Sequence, residues 1–387
     1  MNVLIAGGGT GGHLFPGLAV AAAFRDSVPQ AQVAFAGTAH GLEARVVPKH
    51  GYHLYVLPVM GMIRVGLVRR LLALAVLPSA FAAAWRIVSE FRPDLVVGVG
   101  GYASAPILFV AGLRRIPRVI MEQNAIPGVT NRVFGPSVDR VFLAFDAART
   151  HFRGGRFSVA GNPVRAELLR APLKAATDAP HLLVFGGSQG AQAINGALVD
   201  ALDALFEALP GLTVTLQTGE RDQGRMESAV RRYGERVRVL AFIDDMGAAY
   251  ARADVVIARA GATSLAEITA LGKPSILIPY PHATHDHQRA NALALADANA
   301  AILLEQKDLT PERLAATVTP LLRDAAARAT MAKAALALGR PDAAARIVGE
   351  CLEIARAAGH AAPDSSPTSS PTPSGGSSGG SSGDISG

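Results

Sequence analysis

A single cysteine, Cys351, stands in a chain of 387 residues. No disulfide can form within the chain, and a reducing compartment is expected. Aromatic residues make up only 5%, and no nucleic-acid-binding motif occurs. Nucleic acid is therefore not expected as a partner, although the net charge is +6. That charge points instead to phosphates or an anionic membrane face. No uninterrupted apolar run reaches the ~20 residues needed to span a bilayer. The sequence Met1-Asn2-Val3-Leu4-Ile5-Ala6 leads straight into glycines, with no charged leader and no long apolar core, so no signal peptide is expected. Hydrophobic residues, by contrast, make up 50% of the chain, enough for two domains to bury a core each.

Two segments share one design. Residues 3–6 form a short apolar strand, 7–13 (GGGTGGH) a glycine loop and 16–24 an Ala-rich helix. Residues 182–185 again read as a strand, 186–190 (GGSQG) as a loop and 191–198 as a helix. Further apolar runs follow the first unit at 33–36, 95–99, 118–121 and 140–143, and the second at 212–216, 237–240, 254–258, 275–279 and 301–304. Continuous apolar strands alternating with helical patterns predict buried parallel sheets. The expected fold class is α/β, with two doubly wound, Rossmann-like domains facing across a cleft. The boundary is placed at the turn-rich Gly161-Asn162-Pro163, giving domains 1–161 and 162–342. A terminal helix is expected over 343–357. From 358 to 387 the chain is Ser, Gly, Pro and Thr with almost no apolar residues, a composition that does not offset the entropy of ordering.

Gly7, Gly9 and Gly12 fit G-x-G-x-x-G, a spacing that suggests a nicotinamide dinucleotide site. That site needs an acid at the end of the second strand, where this chain has Gly37-Thr38 and Glu43 only several residues on. What remains is a loop of N–H groups at a helix N-terminus, suited to an anion; a tight strand-to-helix turn is the plainer alternative. Two such loops in matching places favour two anion sites. His13 closes the first loop, at the carboxyl end of a parallel strand where such folds bind ligands, and an imidazole titrates in the working range. Residues 259–267 (RAGATSLAE) follow the strand 254–258 and set Glu267 about one turn into the next helix. There its carboxylate can accept from ribose hydroxyls or simply complement the helix dipole. His282, His285, Asp286 and His287 match no standard zinc spacing. Asp244-Asp245 reads as a turn or helix start. No metal site and no cofactor are expected.

Seven ordered segments resemble the MurG family of glycosyltransferases: 8–16 (GGTGGHLFP), 98–104 (GVGGYAS), 122–131 (EQNAIPGVTN), 161–165 (GNPVR), 186–191 (GGSQGA), 259–267 and 281–288 (PHATHDHQ). The resemblance covers roughly residues 1–357. It implies the two-domain GT-B fold, with the terminal helix 343–357 crossing back to the first domain, and transfer of N-acetylglucosamine from UDP-GlcNAc to the C4 hydroxyl of undecaprenyl-pyrophosphoryl-MurNAc-pentapeptide, as in peptidoglycan synthesis. It implies a donor site made by Arg165, Ser188, Ile243, Ala262, Thr263, Ser264, Leu265, Ala266, Glu267 and Gln288. Ser188 would face the pyrophosphate, the Ile243 backbone the uracil and Glu267 the ribose. Thr10, Gly11, Gly12 and Asn124 would reach the junction from the acceptor side, with His13 as the catalytic residue. Peripheral attachment to the cytoplasmic face of the inner membrane, within a cell-wall synthesis complex, is implied as well.

Three other readings share the donor half: a UDP-sugar:diacylglycerol glycosyltransferase, a UDP-sugar epimerase, and a non-catalytic nucleotide-sugar-binding scaffold. The segment 63–78 (IRVGLVRRLLALAVLP), with Phe81 and Trp85-Arg86, bears on the choice. It is too short to span a membrane, and Pro78 is expected to break it. Arg64, Arg69, Arg70 and Arg86 flank it, as in an interfacial helix on an anionic leaflet. Core packing is the plainer alternative for its leucines.

Overall fold

A strand buried on both faces has no polar side to show, so it reads as an unbroken apolar run. Most strands of this protein are of that kind. The structure, a computed structural model, describes residues 1–59, 67–170, 179–187 and 189–360, the side chains of 67–75 excepted. The expected tail 358–387 therefore falls almost wholly outside the described residues.

The first sheet contains β1 (Asn2–Gly7), β2 (Gln32–Gly37), β3 (His53–Val56), β4 (Leu95–Gly100), β5 (Arg118–Glu122), β6 (Arg140–Leu143) and β7 (Phe157–Ser158), in the order β3-β2-β1-β4-β5-β6-β7. The second contains β8 (His181–Phe185), β9 (Thr213–Gln217), β10 (Val237–Leu240), β11 (Val255–Ala258), β12 (Ser275–Leu277) and β13 (Ile302–Leu303), in the order β10-β9-β8-β11-β12-β13. Every pairing is parallel. The fold is α/β, two doubly wound domains, as expected. The edge strands β3 and β7 do not stand out in the sequence. β3 is exposed at both ends and β7 has only two residues, so neither carries an apolar run.

The helices between the strands are α1 (Gly11–Ser27), α2 (Leu42–Lys49), α3 (Leu67–Phe91), α4 (Ser104–Leu113) and α5 (Val129–Phe134) in the first half. In the second half they are α6 (Ala166–Arg170), α7 (Gln192–Ala208), α8 (Gln223–Val230), α9 (Met246–Arg252), α10 (Ala262–Ala270), α11 (His287–Ala296), α12 (Pro311–Arg323), α13 (Ala325–Leu338) and α14 (Ala343–Ala357). Two expectations need correction. α1 begins inside the glycine loop, at Gly11 and not at Pro16, and carries Pro16 in its second turn at the cost of one helical hydrogen bond. α3 does not break at Pro78 but runs through it. A proline removes one helical hydrogen bond, and the buried Ala80, with Ala84, Ile87 and Val88 in the first domain's core, holds the turns that follow.

In an open parallel sheet, ligands lie beyond the carboxyl ends of the strands, where the connections diverge to opposite faces. Those points are β1/β4 in the first sheet and β8/β11 in the second. The 7–13 and 98–104 segments meet at the first, and the 186–190 and 259–261 segments at the second.

The last helix belongs spatially to the first sheet. Ile347, Val348 and Cys351 of α14 are fully buried in one cluster with Val3, Ile5, Leu14, Leu18 and Phe24. Glu350 accepts from Ser158 Oγ at 2.5 Å and pairs with Arg140 at 3.4 Å. Burial pushes the Cys351 thiol far above its usual range, so it is an inert packing group. An Ile347→Ala variant should lose about 2–5 kcal/mol. Hydrogen exchange should locate the loss in β1 and β4, with β8 and β11 unchanged; protection lost equally from both sheets would contradict this assignment.

Candidate functional site

The first glycine loop is built around a carboxylate. Glu43, almost fully buried, accepts from the Gly9 N–H at 2.8 Å, the Thr38 N–H at 2.9 Å and the Thr38 hydroxyl at 2.7 Å. These bonds hold its carboxyl below the usual range even though burial opposes ionisation. Gly8 has a φ of 146°, and a Cβ there would collide with the Glu43 carboxylate. One N–H of the loop is thus already spent on an internal anion. The N–H groups left to face a ligand are those that open α1.

His13 sits in that first turn, half-buried. Its Nδ1 lies 3.2 Å from Thr10 Oγ1, and the ring is hydrogen-bonded to the Gly8 carbonyl. Gly100, at φ 96°, lets the ring lie against the chain, since a Cβ there would come within 3.0 Å of it. Burial lowers the imidazole pKa from its ordinary value, and the proximity of His287 in the second domain lowers it further. His13 is consequently neutral at neutral pH and able to accept a proton.

The second domain contributes a buried ion pair. Glu267 Oε1 accepts from Arg165 at 3.2 Å and Oε2 from the Tyr250 hydroxyl at 3.1 Å. Burial raises the pKa of Glu267 despite that pairing. A carboxylate offers about four acceptor positions, so two bonds leave capacity for a ligand hydroxyl. The Arg165 guanidinium also stacks 5.4 Å over the Phe15 ring of α1, tying the pair to the first domain.

At 3.6 residues per turn, the run 262–267 cannot present every side chain to one ligand. Thr263, Ser264 and Glu267 share one side of α10. Ala262, Leu265, Ala266 and Thr269 line a cavity on the other side. The Thr263 hydroxyl is buried and has no partner among the described residues. α10 has Gly261 at its N-cap and α7 has Ala191, neither with a side-chain cap bond, and Thr10 does not cap α1. Asp245, Thr310 and Asp324 do cap α9, α12 and α13. The first N–H groups of α1, α7 and α10 thus carry no side-chain cap, as is also true of α2, α4, α5, α8, α11 and α14. Gly11 and Gly12 open α1 in this way. Ile243 buries its side chain in the second domain's core. Gln288 accepts from the Tyr280 N–H at 2.9 Å. Ser188 lies outside the described residues.

Asn291 and Tyr250 have no strong signal in the sequence, whereas Arg259 opens the motif at 259–267. Asn291, fully buried, accepts from the Ala125 N–H at 2.8 Å and donates to Asn124 Oδ1 at 3.1 Å and to the Ala260 carbonyl at 3.2 Å. Tyr250 is a lone aromatic on α9. Arg259, with its pKa lowered to about 10 by burial, donates to the Ile278 and Pro279 carbonyls and to Gln306, shaping the loop ahead of Gln288. Asn124 also sits beside Glu122, which accepts from the N–H groups of Asn124 and Gly128 and from Asn131. Among the described residues no group of three or more His, Cys, Asp or Glu is placed to hold a metal ion.

Two Rossmann-like domains with glycine loops at both switch points define a two-domain glycosyltransferase fold. The Glycosyltransferase family 28 N-terminal domain matches residues 3–143 and the Glycosyltransferase family 28 C-terminal domain residues 181–347. A transferase of Anaeromyxobacter dehalogenans is 47% identical over 358 residues, 92% of this chain and 94% of its own. One of Myxococcus xanthus is 47% identical over 356 residues, 92% and 93% of the two chains. Both are named UDP-N-acetylglucosamine–N-acetylmuramyl-(pentapeptide) pyrophosphoryl-undecaprenol N-acetylglucosamine transferase. The Acinetobacter baumannii MurG structure superposes with a TM-score of 0.74 at 30% identity, covering 91% of this chain and 99% of that one. A calicheamicin glycosyltransferase, at 18% identity and TM-score 0.65 over 91% and 98% of the two chains, shares the fold. The chain belongs to glycosyltransferase family 28 and, within it, to the MurG transferases.

The lowered pKa of His13 has a definite sign. Its charged form is disfavoured in the folded protein, so protonation favours unfolding. The resulting loss of stability begins as pH falls through the imidazole's ordinary value of 6.5, not above it. An NMR titration of the imidazoles, with His13 assigned from a His13→Gln spectrum, should place its midpoint below 6.5. A midpoint at or above that value would refute the assignment.

Proposed function

We propose that the protein transfers N-acetylglucosamine from UDP-N-acetylglucosamine to the C4 hydroxyl of undecaprenyl-pyrophosphoryl-N-acetylmuramyl-pentapeptide. The 47% identity over 92% of the chain to transferases named for this reaction carries the proposal. The site supplies the parts the chemistry needs. The acceptor oxygen attacks the anomeric carbon from the face opposite the diphosphate, and the new bond is β1→4. The bond to the phosphate oxygen breaks, and UDP leaves with the electron pair. The hydroxyl proton passes to neutral His13. Uncapped N–H groups at the starts of α7 and α10 stabilise the charge that gathers on the diphosphate. Glu267, fixed by Arg165 and Tyr250, receives the ribose hydroxyls. Thr10, Gly11, Gly12 and Asn124 hold the acceptor at the junction.

His13→Ala should lower turnover of radiolabelled UDP-GlcNAc with the lipid-linked acceptor by ~10²–10⁴-fold, while UDP affinity measured by calorimetry stays unchanged. Glu267→Ala should weaken UDP by the worth of a charge-assisted bond, ~1.5–3 kcal/mol. Wild-type turnover in the first variant, or wild-type UDP affinity in the second, would remove that residue from its role.

The acceptor's lipid must stay in the bilayer, so the first domain needs a docking face. Among the described residues no helix is long and apolar enough to cross a membrane. The Arg64, Arg69, Arg70 and Leu74 side chains lie outside the described residues. The described part of α3 exposes Trp85 (49%), and the neighbouring α4 exposes Phe109 (45%) and Leu113 (62%). Phe81 meets Phe109 edge to face at 5.1 Å, and Arg114 lies 5.2 Å over the Trp85 ring. Large apolar side chains kept in water beside arginines suit an anionic, cytoplasmic membrane face, where a cell-wall synthesis complex would also assemble. A Trp85→Glu, Phe109→Glu double variant should fail to co-sediment with anionic vesicles while binding UDP normally. If it sediments like wild type, docking lies elsewhere.

A further inference from the structure

Two parts of the donor half meet at the turn that follows β9. The loop 186–190 reaches it from one side. Gly190 has a φ of 71°, and a Cβ there would collide with the Thr218 carbonyl oxygen. Gly219 has a φ of 78°, and a Cβ there would collide with the Gln189 carbonyl oxygen. The glycine loop and the 218–219 turn therefore pack backbone against backbone. The segment after β10 reaches the turn from the other side. The Thr218 N–H donates to the Leu240 carbonyl at 2.9 Å and the Gly219 N–H to the Ala241 carbonyl at 3.1 Å. Gln217 Nε2 donates to Ala241 as well, at 2.8 Å. Ile243 follows two residues on. The turn thus sets the spacing between the loop suited to the diphosphate and the segment that the family resemblance assigns to the uracil.

A buried carboxylate holds this turn. Asp222, 3% exposed, stands at the N-cap of α8, where an aspartate ordinarily accepts from the helix's own first N–H groups. Its side chain makes no such bond. Instead its Oδ2 accepts from Asn195 Nδ2 at 2.7 Å, and Arg225 bonds both oxygens, at 2.7 and 3.1 Å. Asn195, buried one turn into α7, also donates from Nδ2 to the Thr218 carbonyl at 3.2 Å. That is the carbonyl against which Gly190 packs. Reversing the amide would set its oxygen against the carboxylate and the carbonyl. Asn195 Oδ1 is left buried without a partner among the described residues. Giving up one acceptor bond to keep two donor bonds costs stability, and a helix start that merely needed a cap would not incur it. Burial opposes ionisation of Asp222, but the Arg225 and Asn195 bonds outweigh it and hold the carboxyl below its usual range.

We infer that Asp222 is a positioning residue for the donor. Through Asn195 it holds the 218–219 turn, and through the turn it fixes the diphosphate loop relative to the base segment. It acts through Asn195 and not on the substrate itself. The inference rests on the donor reading proposed above.

Asp222→Ala should weaken UDP about tenfold in calorimetry, because a loop free to shift forfeits about one net hydrogen bond to the diphosphate. Uridine, which lacks the diphosphate, should bind wild type and variant equally in an NMR titration. Asp222→Asn keeps an acceptor for Asn195, and the Arg225 side chain, 60% exposed, is free to turn to water. That variant should bind UDP within about twofold of wild type. Val230→Ala removes buried volume at the far end of α8 and should lower the melting temperature without changing UDP affinity. Should Asp222→Ala fail to fold, the pair Asn195→Leu, Asp222→Leu exchanges both polar partners for apolar ones, the less costly change, and should show the same loss. Unchanged UDP affinity in folded Asp222→Ala or in the folded pair, an equal loss for uridine, no recovery in Asp222→Asn, or an equal loss in Val230→Ala would each overturn the inference. Wild-type protein that binds no UDP would instead refute the donor reading on which the inference rests.

Discussion

A carboxamide withdrawn from water must replace the hydrogen bonds it gives up, and Asn291 does so by joining the two domains. Its oxygen takes the Ala125 N–H, and its nitrogen serves Asn124 of the first domain and the Ala260 carbonyl of its own. Those partners adjoin the chemistry on both sides. Ala260 precedes the N-cap of α10, and Asn124 leads from the buried carboxylate of Glu122. The Arg165–Phe15 stack makes a second crossing, so the cleft has polar and aromatic contacts fixing its walls. A small shift at either contact moves the helix N-termini that would hold the diphosphate. The reactive geometry is thereby coupled to how the domains sit.

The site divides its work by burial. Groups that fix shape are deeply buried and bonded on several sides: Glu43, Glu122, Tyr250 and Arg259. Of the groups assigned to ligands, His13 is half-buried and Glu267 is buried but keeps free acceptor positions. Glu43 marks the division most clearly. A glycine loop that looks free to bind an anion already holds one of its own through Gly9, which stiffens the turn carrying His13.

Much of this was legible in the sequence. Parallel strands buried on both faces must be apolar throughout, and glycine loops must stand where a strand turns sharply into a helix. Both features are dense in composition and local in sequence. His13, Glu267 and the loop glycines of the proposed site carry such local signals. Asn291, Tyr250 and the Glu43–Gly9 bond do not, because each depends on partners distant along the chain. The run 262–267 shows the opposite failure: the motif names six residues together, whereas helical rotation sends Leu265 and Ala266 to the far side. Pro78 misleads for a related reason, since the buried alanines and aliphatic residues that carry α3 past it lie downstream.

The return of α14 to the first sheet has a consequence for biosynthesis. The ribosome completes the strands of the first domain long before it makes Ile347, Val348 and Cys351, which close that domain's core. The second sheet, β8 to β13, is entirely synthesised in the interval. The half of the molecule that emerges first is therefore finished last, with an apolar face open on the nascent chain until translation nears its end.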